Sequence, residues 1–170
     1  SCIYENITDS IQVLSLPESI TDSIVNISCN GFNNGIIAVT PSGTSPFEYT
    51  WNGISGDSLI SGLSPGDYTL ELVDSNNCSN TFTYSILEPS LLMSEAMVST
   101  DFNGFNVSCF ADSNGLAEVM YSGGTSPYEV LWSNGDTTDI ADSLAAGTYN
   151  VVVTDTCLLY TSDAADETGR

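Results

Sequence analysis

Histidine and lysine are absent from this 170-residue chain, and its one basic residue is the last, Arg170. Against that single base stand 22 acidic residues, a formal charge of −21 at neutral pH. With no cations to neutralise phosphate, nucleic-acid binding is excluded. An anionic membrane surface has nothing to attract either. The missing histidine and lysine remove the ordinary bases that activate a nucleophile, and no CxxC spacing offers zinc a thiolate set. A carboxylate pair of the glycosidase kind remains through Asp57, Asp67, Glu71 or Asp74. No such pair stands out in both halves of the chain, so no catalytic residue is assigned. Charge itself is scarce: 14% of residues are charged and 41% hydrophobic, against roughly 25% charged in ordinary domains. Polarity comes instead from Ser, Thr, Asn and Gly, which suits folded strands and turns and not an acidic disordered tail. No stretch carries a helical apolar stripe.

What is present is a sequence written twice. Cys29-Asn-Gly-Phe-Asn-Asn-Gly-Ile, Gly43-Thr-Ser-Pro-Phe-Glu-Tyr-Thr-Trp51 and Leu63-Ser-Pro-Gly-Asp-Tyr68, closing at Asp74, form one unit. Cys109-Phe-Ala-Asp-Ser-Asn-Gly-Leu, Gly124-Thr-Ser-Pro-Tyr-Glu-Val-Leu-Trp132 and Leu144-Ala-Ala-Gly-Thr-Tyr149, closing at Asp155, form the next. The offset is 80 residues at the cysteine and 81 from the Gly-Thr-Ser-Pro motif onward, so one residue is inserted between them. A fixed period with turn residues at fixed offsets marks an array of small units.

Both ends break the pattern. Residues 1–20 read as the tail of a preceding truncated repeat, because Cys2 and Leu16-Pro-Glu-Ser-Ile20 parallel Cys78 and Leu87-Glu-Pro-Ser-Leu91. Residues 157–170 read as a translation, in one frame, of a transposon-end adapter used in sequencing libraries. There Cys157 falls two residues after Asp155, whereas Cys78 falls four after Asp74. This tail is expected to contribute nothing to function; its apolar residues after Asp155 could still complete an edge strand where the lost final strand would begin, and such pairing would be an accident of composition.

Within each unit apolar residues alternate with polar ones over short runs, the period of a half-buried strand. Phe47, Tyr49 and Trp51 share a face, as do Tyr68, Leu70 and Leu72; the second unit repeats this with Tyr128, Val130, Trp132 and Tyr149, Val151, Val153. Turn clusters such as Asn33-Asn-Gly35, Asn52-Gly53 and Pro65-Gly66 separate the runs by about ten residues. That spacing predicts an all-β fold of tandem immunoglobulin-like β-sandwich repeats. The expected division is 21–90 for one repeat and 91–156 for a second, C-terminally truncated one. Tyr68 and Tyr149 fit the corner that opens a late strand in such domains, where the hydroxyl bonds back to the upstream backbone; ordinary buried strand tyrosines are the other reading. Trp51 and Trp132, in phase with apolar neighbours, read as core anchors ahead of sugar platforms.

Taken in order, Cys-Asn-Gly…Asn-Gly-Ile, Gly-Thr-Ser-Pro-Phe/Tyr, tryptophan, Leu-x-x-Gly-x-Tyr and a closing aspartate resemble the SprB repeat. That family recurs in tandem in large cell-surface adhesins of gliding bacteria. The resemblance covers residues 1–156. It implies extracellular, cell-surface display, type IX secretion, a role in gliding motility and an adhesive or filament-building function without catalysis. The partners it implies are a surface polysaccharide or neighbouring repeats of the same protein, with neither nucleic acid nor membrane insertion. In an exported protein the cysteines read as disulfides. Pairing Cys29 with Cys78 would close a long loop worth about 4 kcal/mol in the chain-entropy model. Pairing between neighbouring units fits better if the two lie at opposite ends of the sandwich, and free thiols are the third possibility.

The alternative function is a carbohydrate- or calcium-binding module repeated along an extracellular protein. Asp74 and Asn76, and Asp112 and Asn114, supply oxygens of the kind calcium uses, but the same residue types form turns without metal, and no cofactor is assigned. Asp-Ser/Thr followed by a small or aliphatic residue, as at Asp22-Ser-Ile, Asp57-Ser-Leu and Asp142-Ser-Leu, resembles the O-glycosylation acceptor of the same bacterial group.

Overall fold

The computed structural model describes residues 3–6, 10–13, 15–109 and 111–167, so Cys2 lies outside the described residues. All regular structure in this range is β-strand, and the chain divides into two compact units, Ser1–Glu88 and Pro89–Arg170. A short hairpin, β1 (Ile3–Asn6) on β2 (Ser10–Val13), precedes the first sandwich.

The first sandwich runs β3 (Glu18–Val25), β4 (Gly35–Ser42), β5 (Glu48–Trp51), β6 (Ile54–Gly56), β7 (Leu59–Leu63), β8 (Gly66–Val73) and β9 (Ser79–Ile86). One sheet has the order β3-β4-β7 and the other β6-β5-β8-β9, with every pairing antiparallel. Lettered in chain order, these are the A-B-E and C′-C-F-G sheets of an immunoglobulin-like sandwich. The second sandwich repeats it with β10 (Met93–Val98), β11 (Ser113–Ser122), β12 (Tyr128–Trp132), β13 (Ile140–Ala145), β14 (Gly147–Asp155) and β15 (Tyr160–Glu167). Its sheets are β10-β11-β13 and β12-β14-β15.

Alternation explains the layers. On β8, Leu70 and Leu72 are fully buried while Thr69 and Glu71 face solvent; Val151 and Val153 do the same on β14. These side chains meet Ile37, Val39, Trp51, Tyr84 and Ile86 in the first core, and Val119, Val130, Trp132, Ala141 and Leu144 in the second. The units differ after the tryptophan. Asn52 and Gly53 both adopt positive φ, the geometry of a two-residue type I′ hairpin, and launch β6. In the second unit only Gly135 does so there, and a turn closed by Trp132 N–H on Asp136 O leaves no partner strand on β12 among the described residues besides β14.

Register also locates the inserted residue. Glu18 pairs with Ser42 and Met93 with Ser122, so the two serines are equivalent and Gly123 is the extra one. It sits at φ +76°, where a Cβ would lie 2.1 Å from the Leu91 carbonyl oxygen, a space only glycine can occupy.

At the C-terminal segment the adapter-like sequence completes an edge strand: residues 160–167 pair with β14 over eight positions from Tyr160↔Thr154 to Glu167↔Gly147. Strand pairing needs backbone amides and carbonyls, which any polar, proline-free segment supplies, and β14 offers an apolar-backed edge. The strand is tied to the other sheet as well. Ala96 N–H donates to Asp163 Oδ2 at 2.8 Å, and Ser94 Oγ to Thr161 Oγ1 at 3.2 Å.

Deleting 157–170 is therefore expected to lower the thermal midpoint of the second unit by several degrees or more, since about 1 kcal/mol shifts a domain of this size by ~4–8 °C. An unchanged circular-dichroism melt would refute the packing of β15. The carboxyl of Asp163 is held below its ordinary 3.8, chiefly by the Ala96 amide and then by that of Ala164. A depressed carboxylate contributes stability above its unfolded value and loses it as pH falls through the folded one. Asp163→Asn should thus melt earlier than the unsubstituted chain at neutral pH, with the gap closing below about pH 3.8.

Candidate functional site

The residues that recur in both units hold loops. Before β4, the Asn34 side chain spans its loop: Oδ1 accepts from Ser28 N–H at 3.1 Å and Nδ2 donates to Ser28 Oγ at 2.7 Å. Asn114 makes the same two bonds with Ser108, at 3.1 and 2.7 Å. Asp112 Oδ2 accepts from Ser108 Oγ at 2.5 Å. At the other candidate turn, Asp74 is only 4% exposed, and its Oδ1 accepts from the amides of Asn76 and Cys78, both at 2.9 Å. Asp155 is 3% exposed and serves Cys157 and Leu159 in the same way, at 2.9 and 3.0 Å, while its Oδ2 accepts from Thr125 N–H at 2.9 Å. The side chains of Asp74, Asp112 and Asn114 thus hold turns and loops, and Asn76 joins its turn through its backbone amide. Among the described residues no group of three or more acidic, cysteine or histidine side chains converges.

Spacing explains the offset of Cys157. It occupies the place of Asn76 in this turn, and Leu159 occupies that of Cys78. The aspartate imposes one turn on two different sequences.

The aromatic anchors are interior. Trp51 and Trp132 are 5% and 1% exposed, and their indole N–H groups donate to Asp57 O at 3.0 Å and Thr138 O at 2.9 Å. The Tyr68 hydroxyl donates to Ser64 O at 3.0 Å and that of Tyr149 to Ala145 O at 3.2 Å, the corner bond in both units. Cys29 and Cys78 are each buried and each in a disulfide. Their mutual pairing, the leading expectation, conflicts with the strand path. Cys29 lies in the loop bonded to the end of β9 through Ile27 N–H on Leu87 O, whereas Cys78 lies in the turn that opens β9. In the acceptor-like motifs, Ser23 and Ser143 are exposed and Ser58 is half-buried.

Sequence reading missed one feature, a cleft of about 510 Å³ in the second unit. Tyr121, Tyr128, Glu129, Leu131, Asp139 and Thr154 line it. The two tyrosine rings sit 5.0 Å apart, tilted at 56°. Tyr121 donates to Asp139 Oδ1 at 3.1 Å and Tyr128 to Gly123 O at 2.7 Å. Burial, then the hydrogen bond to Asp139, raises the Tyr121 phenol above its ordinary value of 10.0. The available signal was departure from the repeat, since the first unit has Pro41 and Phe47 at these places.

The family model for the SprB repeat matches residues 21–56 and 105–137. Each unit thus contains one segment similar to the SprB repeat. The matched spans take in the loop clamps, the Gly-Thr-Ser-Pro turns and both tryptophans. No curated protein sequence matches. Among solved structures, "Crystal structure of DIP-gamma IG1+IG2" overlays at 11% identity, covering 89% of this chain and 96% of that one, with a TM-score of 0.44. "Structural basis for Dscam isoform specificity" overlays at 11% identity, covering 91% of this chain and 46% of that one, with a TM-score of 0.38. The fold assignment rests on the strand order, to which overlays this loose add nothing.

Asp155→Ala should strand three buried or half-buried amides, at about 1–3 kcal/mol for each left unsatisfied. A fall of at least ~4 °C in the second unit's melting midpoint is expected, with the first unit unmoved; no change would show the turn holds without its carboxylate.

Proposed function

We propose that this chain is a structural and adhesive segment of a long cell-surface adhesin, in which SprB repeats set length and reach and carry out no catalysis. The observation that carries this reading is the pair of segments matching the SprB repeat, each in a sandwich whose recurring Asn34/Asn114 and Asp74/Asp155 side chains hold loops and turns. The tryptophans are spent on the cores, which favours a spacer over a ligand platform. The acidic surface suits an exported array, because like charges keep copies apart, within a Debye length of about 8 Å at physiological salt. Export through the type IX route and a place in gliding belong to the same reading.

An antibody raised against residues 18–167 is expected to label intact, unpermeabilised cells of the source, and mild external protease should abolish the signal. Labelling only after permeabilisation would sink the surface assignment.

The cleft of the second unit supports a second reading, a carbohydrate-binding module. Two tyrosine rings beside Glu129 and Asp139 offer stacking faces and acceptors for sugar hydroxyls. On a glycan array the spacer reading expects no binding by the intact chain. Binding that disappears in Tyr121→Ala and Tyr128→Ala would establish the module instead.

A further inference from the structure

The cleft of the second sandwich lies where that unit departs from the first. In the first, β6 covers one edge of β5, with Tyr49 opposite Gly56 and Thr50 opposite Ser55. In the second, β14 is the only described strand paired with β12, and residues 133–139 form a loop instead. Thr137 and Asp139 of that loop line the 510 Å³ cleft together with Glu129 and Leu131 of β12. Leu131 pairs with Val152 and the two are 56% and 36% exposed, an apolar shelf open to solvent.

What the cleft offers a ligand is one-sided. Both phenol protons are spent on the protein itself, Tyr121 donating to Asp139 Oδ1 at 3.1 Å and Tyr128 to Gly123 O at 2.7 Å. That leaves the ring faces, which attract cations, and the carboxylates of Glu129 and Asp139, which only accept. The hydroxyls of Thr137 and Thr154 are the side-chain donors that remain. A sugar needs donors and acceptors interleaved, whereas a cation needs acceptors and ring faces alone. No charge within the described residues answers these carboxylates, because the sole base of the sequence is Arg170, which lies outside them. In the first unit Pro41, Phe47, Glu48 and Ser58 stand at the equivalent places, so the tyrosine pair with two acids belongs to the second alone.

We propose that this cleft binds a lysine side chain presented by an extended segment of a partner protein. The ammonium is met by the carboxylates of Glu129 and Asp139 and by the tyrosine rings, while its hydrocarbon stem covers Leu131 and Val152. The edge of β12 gives such a segment backbone groups to pair with, as in strand addition, which a free amine has no means to use. The sandwiches contain no lysine, so a second copy of them cannot supply it. This ligand differs from the sugar of the second reading, and it leaves the spacer role of the repeats as it stands.

The test is a titration of the intact, isotope-labelled chain followed by amide NMR in about 0.15 M NaCl, which screens diffuse attraction. The probe is the peptide acetyl-Thr-Lys-Thr-amide, with its norleucine counterpart, butylamine and glucose run alongside. The lysine peptide is expected to give saturable shifts at Tyr128, Glu129, Leu131, Asp139 and Thr154, and none at Phe47, Glu48 or Ser58. Glu129→Gln and Asp139→Asn should each weaken it about two- to fivefold, the range for one exposed charge contact. Asparagine at 139 keeps an acceptor for the Tyr121 hydroxyl and Glu129 is exposed, so both variants keep the fold, which the same spectra display. Equal shifts from the norleucine peptide, unchanged affinity in both variants, or shifts spread over both units without saturation would overturn the proposal. So would glucose moving these amides while the lysine peptide leaves them still. Butylamine carries the same ammonium and stem without a peptide, and binding as tight as the peptide's would overturn the protein partner.

Discussion

Each sandwich hangs on one tryptophan that serves both sheets. Trp51 ends β5 and Trp132 ends β12, in the sheet that contains the closing strand. Their indole rings fill the core, and their N–H groups fix the carbonyl of the segment crossing to the opposite sheet, at Asp57 and Thr138. That crossing is bonded onward, from Val39 N–H to Ser58 O and from Val119 N–H to Asp139 O. A single side chain therefore supplies apolar burial and sets where the chain changes layers. Other large residues of the core, such as Leu70 and Val151, contribute burial alone. A ring so engaged has no face left for a ligand, which is why the same residue argues for a scaffold.

Around this anchor the polar residues do local work. A buried carboxylate is tolerable when its oxygens are satisfied, and Asp74 and Asp155 meet that condition by collecting turn amides. The asparagine clamps hold the loop at the opposite pole in the same economical way, one side chain replacing several backbone contacts. Chain acidity and chain order are compatible because, among the described residues, most carboxylates reach solvent and the buried Asp74 and Asp155 face N–H groups.

Much of this was legible in the sequence because it is local. Strand alternation, the Asn52-Gly53 hairpin and the two tyrosine corners each follow from residues within a few positions of one another. What was not legible depends on the path between sheets. The distance between Cys29 and Cys78 follows from which way β9 runs, and linear spacing only raised the possibility of opposite ends. The strand Tyr160–Glu167 was legible only as a possible edge strand, because its side chains carry no core pattern and its place is decided by the open edge of β14. The tyrosine cleft escaped because it lies where the two units differ, and reading by repetition attends to where they agree.

The direction of the outermost strands has a mechanical consequence. Ser94 and Ala96 of β10 meet Thr161 and Asp163 of β15 in ascending order on both strands, so the first and last strands of the second sandwich run the same way. In the first, β3 starts beside Ser42, while β9 ends beside the loop that follows β3. The polypeptide thus enters each sandwich at one pole and leaves at the other. A pull along the chain then acts parallel to the terminal strands and loads their ladders of hydrogen bonds all together, in shear. The opposite arrangement would let those bonds unzip in succession.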